Sequence, residues 1–216
     1  MDDVSAESRC TVFLLSPAYC GGRRAGLLMR PGSTIALAHR LDAGTLSLGE
    51  AFTFMSGLYF RGKIAYARAF GRRADGGHAT CVITPTRGLQ SPDLPITRAL
   101  VEEFAAVDVA HDEPRYFEPL VSDARALATA LPAEARVVLL GSVATSKYVE
   151  VLAESFGARL HFPSDFIGRG DMSRGALMLQ RAASGVELDY VIAAPTTVRR
   201  GPRPPRMASR EGAPSR

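Results

Sequence analysis

Tryptophan is absent from this chain, and aromatic residues together make up only 7% of its 216 positions. Modules that bind single-stranded nucleic acid by stacking need a supply of such side chains, so that class is not expected. Cysteine is equally scarce. Cys10, Cys20 and Cys81 are an odd set with no CxxC pair, which argues against a disulfide framework and against a structural zinc site. The histidines His39, His78, His111 and His161 are scattered and form no HExxH pattern, so neither a metal nor a cofactor is expected. Long apolar runs are also missing. The longest, Val137–Leu140 with its neighbours, has the length of a strand, far short of the roughly 18–20 residues that span a bilayer. The chain starts Met-Asp-Asp, acidic where a secretory leader is basic. A cytoplasmic protein without membrane contact is the expectation.

Hydrophobic residues account for 46% of the chain, enough for one large core. The net charge of +4 is unevenly distributed. From Arg199 onward six arginines face only Glu211, a net +5, which leaves the first 198 residues at −1. After Ala194 the composition turns to proline and arginine, a mixture that cannot bury enough surface to offset its ordering entropy. The reading is therefore a single domain over residues 9–194 and a disordered basic tail over 195–216.

Thr11–Leu15, Ala79–Ile83 and Arg136–Leu140 are continuous apolar runs, the mark of strands covered on both faces. Arg159–Phe162 and Val186–Ile192 are weaker candidates. Helical stretches separate them. Ser33 or Thr34 can cap a helix to Leu41, and Glu50–Phe70 is helical with a break at Ser56-Gly57. Thr97 caps a segment into Phe104, and Tyr116–Leu131 ends at Pro132. Thr145 or Ser146 caps a helix closed by Gly157, and Asp171 caps one closed by Gly185. This alternation predicts an α/β fold: a mostly parallel sheet with helices on both faces, a three-layer sandwich.

Ligands of such sheets bind beyond the carboxyl ends of the strands. The segments that follow the strands are alike in combining glycine, hydroxyl and cation. They supply Ser16, Cys20, Gly21, Arg23 and Arg24 after the first strand, and Thr84, Arg87 and Gly88 after the second. The third gives Ser142 and Lys147, and the fourth leads to Asp165 and to Gly168, Arg169, Gly170, Asp171, Ser173 and Arg174. Glycine admits a ligand close to the backbone, and arginine grips phosphate or carboxylate in two-point fashion. The segment GRGDMSRG (168–175) is poor in both helix and strand formers and reads as an anion-binding loop, with a surface loop as the plain alternative. Asp165 and Asp171 are the candidate acid and base, although both can simply pair with the arginines. Tyr59 and Arg61, just past the helix break, can face the same crevice. Arg61, Arg68 and Arg72 share one helical face, a phosphate-contacting row or a solvated surface. Cys20 lies beside two arginines but has no histidine nearby in sequence, which favours a packed thiol over a nucleophile.

The segments SPAYCGGRRA (16–25), LYFRGKIAYARAF (58–70), ITPTRGLQSPDLPI (83–96) and FIGRGDMSRG (166–175) resemble those of an uncharacterised bacterial family in the same order. The strand-loop order is also similar to the uracil-DNA glycosylase-like α/β fold, including its relatives in archaeosine and deazaguanine metabolism. That resemblance implies a nucleobase pocket at the strand ends and cleavage or exchange of an N-glycosidic bond, in a nucleoside or in nucleic acid. Two features depart from it. The loop after the first strand lacks the acid of a GxDPY-like motif, and an HPS-like motif is interrupted, with Phe162 between His161 and Pro163-Ser164. The expected partners are thus a nucleobase, nucleotide or nucleic acid, the tail contributing to any polymer contact. The alternatives are a non-catalytic nucleotide-binding module and a scaffold that meets its partner through the Arg/Pro tail.

Overall fold

The computed structural model describes residues 10–110, 112–142 and 146–193, and of residues 146 and 147 the backbone only. The expected tail at 195–216, the Thr145 cap and the Lys147 side chain lie outside the described residues.

The apolar runs TVFLL and RVVLL become β1 (Thr11–Leu15) and β4 (Arg136–Leu140). They pair in parallel over their full length. β2 (Thr80–Ile83) flanks β1 on the other side, and β5 (Leu160–Pro163) extends the sheet beyond β4, both in parallel. The edges are antiparallel: β3 (Leu89–Gln90) on β2 and β6 (Tyr190–Ile192) on β5. The order is β3-β2-β1-β4-β5-β6, an α/β fold with a mixed, mostly parallel six-stranded sheet.

The described helices are α1 (Arg23–Met29), α2 (Ala36–Asp42), α3 (Leu48–Ser56), α4 (Leu58–Phe70), α5 (Arg98–Ala105), α6 (Pro114–Ala130), α7 (Ser146–Phe156) and α8 (Asp171–Ser184). Strand side chains alternate between the two layers they hold together. Phe13, Leu15, Val82, Val138 and Leu140 meet residues of α1–α5 and α8. Val12, Leu14, Ile83, Val137 and Leu139 meet α6 and α7.

Several local expectations hold and several are corrected. The break at Ser56-Gly57 is complete, because Gly57 has φ +64, a region closed to most side chains. Thr97 caps α5 by accepting from Leu100 N, and Gly185 closes α8 in the left-handed conformation. Ser33 does not cap α2. Its hydroxyl takes Ile35 N in a local turn, and the helix starts one residue later without a side-chain cap. Asp171 is not the cap of α8 but its first residue, after Gly170. Five of the eight residues of the glycine-rich 168–175 segment are therefore helical. The reason is packing: Gly62 on α4 and Gly175 on α8 cross so closely that a methyl group on Gly62 would stand 2.6 Å from the Gly175 carbonyl oxygen. Tertiary contact overrides weak helix propensity here. Helix α1, also unexpected, begins immediately after Gly21-Gly22.

Candidate functional site

Strand order reverses between β1 and β4, since the chain builds outward from β1 on one side and then returns to its other side. A crevice at the carboxyl ends of these two strands follows from that topology. Ser16, the residue after β1, stands there with only 5% of its surface exposed. Gly141, the residue after β4, lies against it. A Cβ on Gly141 would come within 3.2 Å of Ser16 Oγ, so glycine keeps the flank of the hydroxyl clear.

Behind Ser16 is Lys63 of α4, 1% exposed. Its Nζ donates to Ser16 O at 2.9 Å and contacts Ser16 Oγ at 2.7 Å. The same nitrogen lies 4.1 Å from the centre of the Tyr59 ring and 5.3 Å from that of Phe60. Loss of water around the ammonium pulls the Lys63 pKa down to about 7, helped by Arg174 and opposed by Asp171. Near neutral pH the amine therefore exists in both forms, and the neutral form has a lone pair with which to accept the Ser16 proton. The Tyr148 phenol of α7 also lies within hydrogen-bonding reach of the Ser16 side chain, and burial raises its pKa. Tyr59, 6% exposed, has its hydroxyl beside the Arg174 guanidinium and makes no hydrogen bond of full geometry among the described residues. Burial drives its pKa up to about 12.

Helix α8 closes the cluster. Arg174 is buried and donates through Nε and Nη2 to Phe166 O, at 3.2 and 2.9 Å. Asp171, one turn before it, lies 3.7 Å from Arg174 Nη1 with its side chain 69% exposed. Its charge acts on both Lys63 and Tyr148.

A cavity of about 420 Å³ opens beside this cluster. Pro17, Tyr19 and Cys20 of the β1 loop, Pro85, Phe104 and Tyr148 form much of its wall. The wall mixes these side chains with polar groups, the acid Asp108 among them. Tyr19 stands at the cavity 76% exposed, and its ring packs against Gly21 and Gly22, where larger residues would collide with it.

The expected site residues divide into those drawn together and those held apart. Ser16, Tyr59, Asp171 and Arg174 meet in one cluster, and Cys20 lines the adjoining cavity. Burial pushes the Cys20 thiol up to about 12, and its Sγ lies 3.7 Å from Ala18 O. Thr84 and Gly88 close a tight turn between β2 and β3, where Thr84 Oγ1 donates to Gly88 O at 3.0 Å. Arg87 in that turn pairs with Glu103 at 2.6 Å and lines a separate cavity with Glu118 and Arg115. Arg169 donates to Asp165 O and to Ser173 Oγ. Gly168 turns with φ +74, and Gly170 precedes α8. Arg23 and Arg24 are exposed on α1, Arg24 reaching Phe54 O, and Arg61 is exposed on α4. Ser142 is half-buried after β4. Among the described residues, no cluster of histidine, cysteine and acid has the makings of a metal site, and no helix is long and apolar enough to cross a membrane.

Sequence reasoning missed Lys63 and Tyr148. A signal for the first was present. Phe60, Lys63, Ala67 and Phe70 follow helical spacing, so an ammonium falls inside an apolar stripe. Lysine is moreover rare here: of 26 basic side chains outside histidine, only Lys63 and Lys147 are lysines. Comparison with family models, with curated proteins and with solved structures finds no match to this chain.

Proposed function

We propose that this protein is an enzyme acting on a nucleobase-bearing ligand, by glycosylase-like cleavage or exchange of an N-glycosidic bond at the β1–β4 crevice. The observation that carries this reading is a cavity of about 420 Å³ at the strand ends whose wall includes Tyr148, a phenol within electrostatic reach of the Asp171 carboxylate. A planar base fits among Tyr19, Pro85 and Phe104, with Tyr19 as a stacking surface. Asp171 supplies the negative charge that an oxocarbenium-like sugar carbon requires, with the Arg174 guanidinium 3.7 Å away as its nearest countercharge. The resemblance of the strand-loop order to the uracil-DNA glycosylase-like fold supports the same chemistry. The acid that such proteins carry after the first strand is missing here, and Asp171 would take its place from α8.

The test is release of free base from a panel of nucleosides, nucleotides and modified DNA, followed by chromatography. D171N is expected to lower the rate at least a hundredfold, on the scale of a lost charge stabiliser. D165N, at a residue that takes no part in the contacts of the cluster, is expected to keep it. Binding without turnover would favour a nucleotide-binding module instead, and absence of both would favour a scaffold.

A further inference from the structure

We propose that Ser16 is an activated nucleophile with Lys63 as its base, and that this crevice accepts an activated carboxyl group, an ester or thioester, and holds it as an acyl-enzyme. The inference is independent of the nucleoside reading: it rests on Ser16 and Lys63, whereas that reading rests on Asp171.

A serine hydroxyl is a weak nucleophile unless a base takes its proton. Lys63 Nζ meets the requirement geometrically, at 2.7 Å from Oγ, while its second contact, to Ser16 O at 2.9 Å, holds the amine in register. The amine is enclosed by named groups from every neighbouring element. Ser16 comes from the end of β1, Tyr59 and Phe60 from its own helix, Asp171 and Arg174 from α8, and Tyr148 from α7 by way of Ser16. Two of these charges oppose each other, so burial decides the outcome, and the lysine is neutral enough near pH 7 to serve as a base. Arginine could not do this, because its guanidinium stays protonated. The chain uses arginine for almost all of its cations and keeps lysine at this buried position.

Access runs through the neighbours of Ser16. Pro17 and Ala18, the two residues that follow it, and Tyr148 line the 420 Å³ cavity, and Gly141, which packs on the serine side chain, adds no bulk there. The buried Tyr59 hydroxyl lies beside the Arg174 guanidinium, which can only donate, so the phenol proton remains available to an oxyanion.

In the first step, Lys63 Nζ accepts the Ser16 proton as Oγ bonds to the carbonyl carbon. The tetrahedral adduct collapses, breaking the bond to the leaving alcohol or thiol, which takes the proton back from Lys63. Water then gives a proton to Lys63 and attacks the ester carbonyl. Release of the carboxylic acid returns the proton to Ser16 Oγ.

The experiment needs no natural substrate. The full chain is treated with a fluorophosphonate, which phosphonylates activated serines and expels fluoride, and is followed by intact mass and peptide mapping from pH 5.5 to 9. We expect one adduct, on Ser16, with a rate that rises with pH around a midpoint near 7. S16A should abolish it, and K63M should slow it at least a hundredfold, the scale of general-base catalysis. Y148F should slow it about tenfold, as the loss of one hydrogen bond does. Labelling of a different residue, equal rates in K63M and wild type, or a flat profile between pH 6 and 9 would each overturn the proposal. The profile of the wild type decides the matter if K63M does not fold. Failure here with D171N-sensitive base release intact would leave Lys63 as a strut between α4 and β1.

Discussion

The two helical layers cover the same sheet by different means. Among the described residues, α6 and α7 bury only apolar side chains and the phenols Tyr116 and Tyr148. The opposite layer buries an ammonium, Lys63, and a guanidinium, Arg174, where α4 crosses α8. An apolar replacement of similar volume is generally no worse for stability than a buried charge. The layer of α6 and α7 therefore reads as fold-keeping. At Lys63 the α4–α8 crossing gives up stability to hold an amine at the carboxyl edge, whereas Arg174 offsets its burial through two bonds to Phe166 O.

The largest expected effect breaks the crossing itself. At Gly62 any side chain meets the Gly175 backbone, 2.6 Å from a methyl carbon, and backbone cannot rotate aside. G62V should destabilise by about 3 kcal/mol or more, the upper range for overpacking. Chemical denaturation would measure it. A loss below about 1 kcal/mol would mean that α4 and α8 separate easily and that the site is not rigidly built.

Next is the cost of burying Lys63, which pH exposes. Its pKa is about 7 in the folded protein against an ordinary 10.5. Between these values the unfolded chain binds more protons, so this group makes stability rise with pH over that window. Below pH 7 the penalty is present in full, and above about 10.5 it is gone. At about 1.4 kcal/mol per unit it amounts to a few kcal/mol. K63M should thus melt above wild type at pH 6, and the difference should shrink or reverse by pH 10, where only the lost bonds to Ser16 count. A gap that does not change with pH would show that Lys63 remains charged throughout.

Arg174 sharpens the comparison from α8. Read from sequence it is a loop arginine that grips an anion, yet its guanidinium is spent on Phe166 O. R174M should cost about 1.5–3 kcal/mol, the range for a hydrogen bond to a charged group. R169A, on a half-buried side chain with contacts inside its own turn, should cost about 1 kcal/mol or less. Thermal melts of the pair would separate a structural guanidinium from an available one.

Much of the sheet was legible because buried strands have a plain signature: TVFLL and RVVLL are apolar at every position and end in turn residues. The edge strands were not. Leu89–Gln90 is two residues long, and its pairing depends on the turn at Gly88 rather than on any pattern of its own. The carboxyl-edge rule directed attention to Ser16, Asp171 and Arg174, which the structure brings together, since it needs only strand ends. It could not find Lys63 or Tyr148, which reach the edge from within helices. Their arrival depends on how α4 and α7 pack, a long-range fact that no local window contains.

The smallest effect has the opposite sign and concerns the same residue type as the largest. Gly26 lies in the middle of α1, exposed, with nothing within 4 Å of where a Cβ would stand. Its N–H reaches Gly22 O at 3.0 Å, an ordinary helical bond. Here glycine supplies neither close approach nor a left-handed turn, and only the entropy cost of ordering it remains. G26A should stabilise by about 0.5–1 kcal/mol through the unfolded chain, a rise in melting temperature of about 1–4 °C for a chain of this size. Sequence alone marks Gly26 and Gly62 identically. If G26A were destabilising, some ligand or segment would have to press on the exposed face of α1. Arg23 and Arg24, one turn earlier on the same helix, would then be drawn back into the crevice from which the structure separates them.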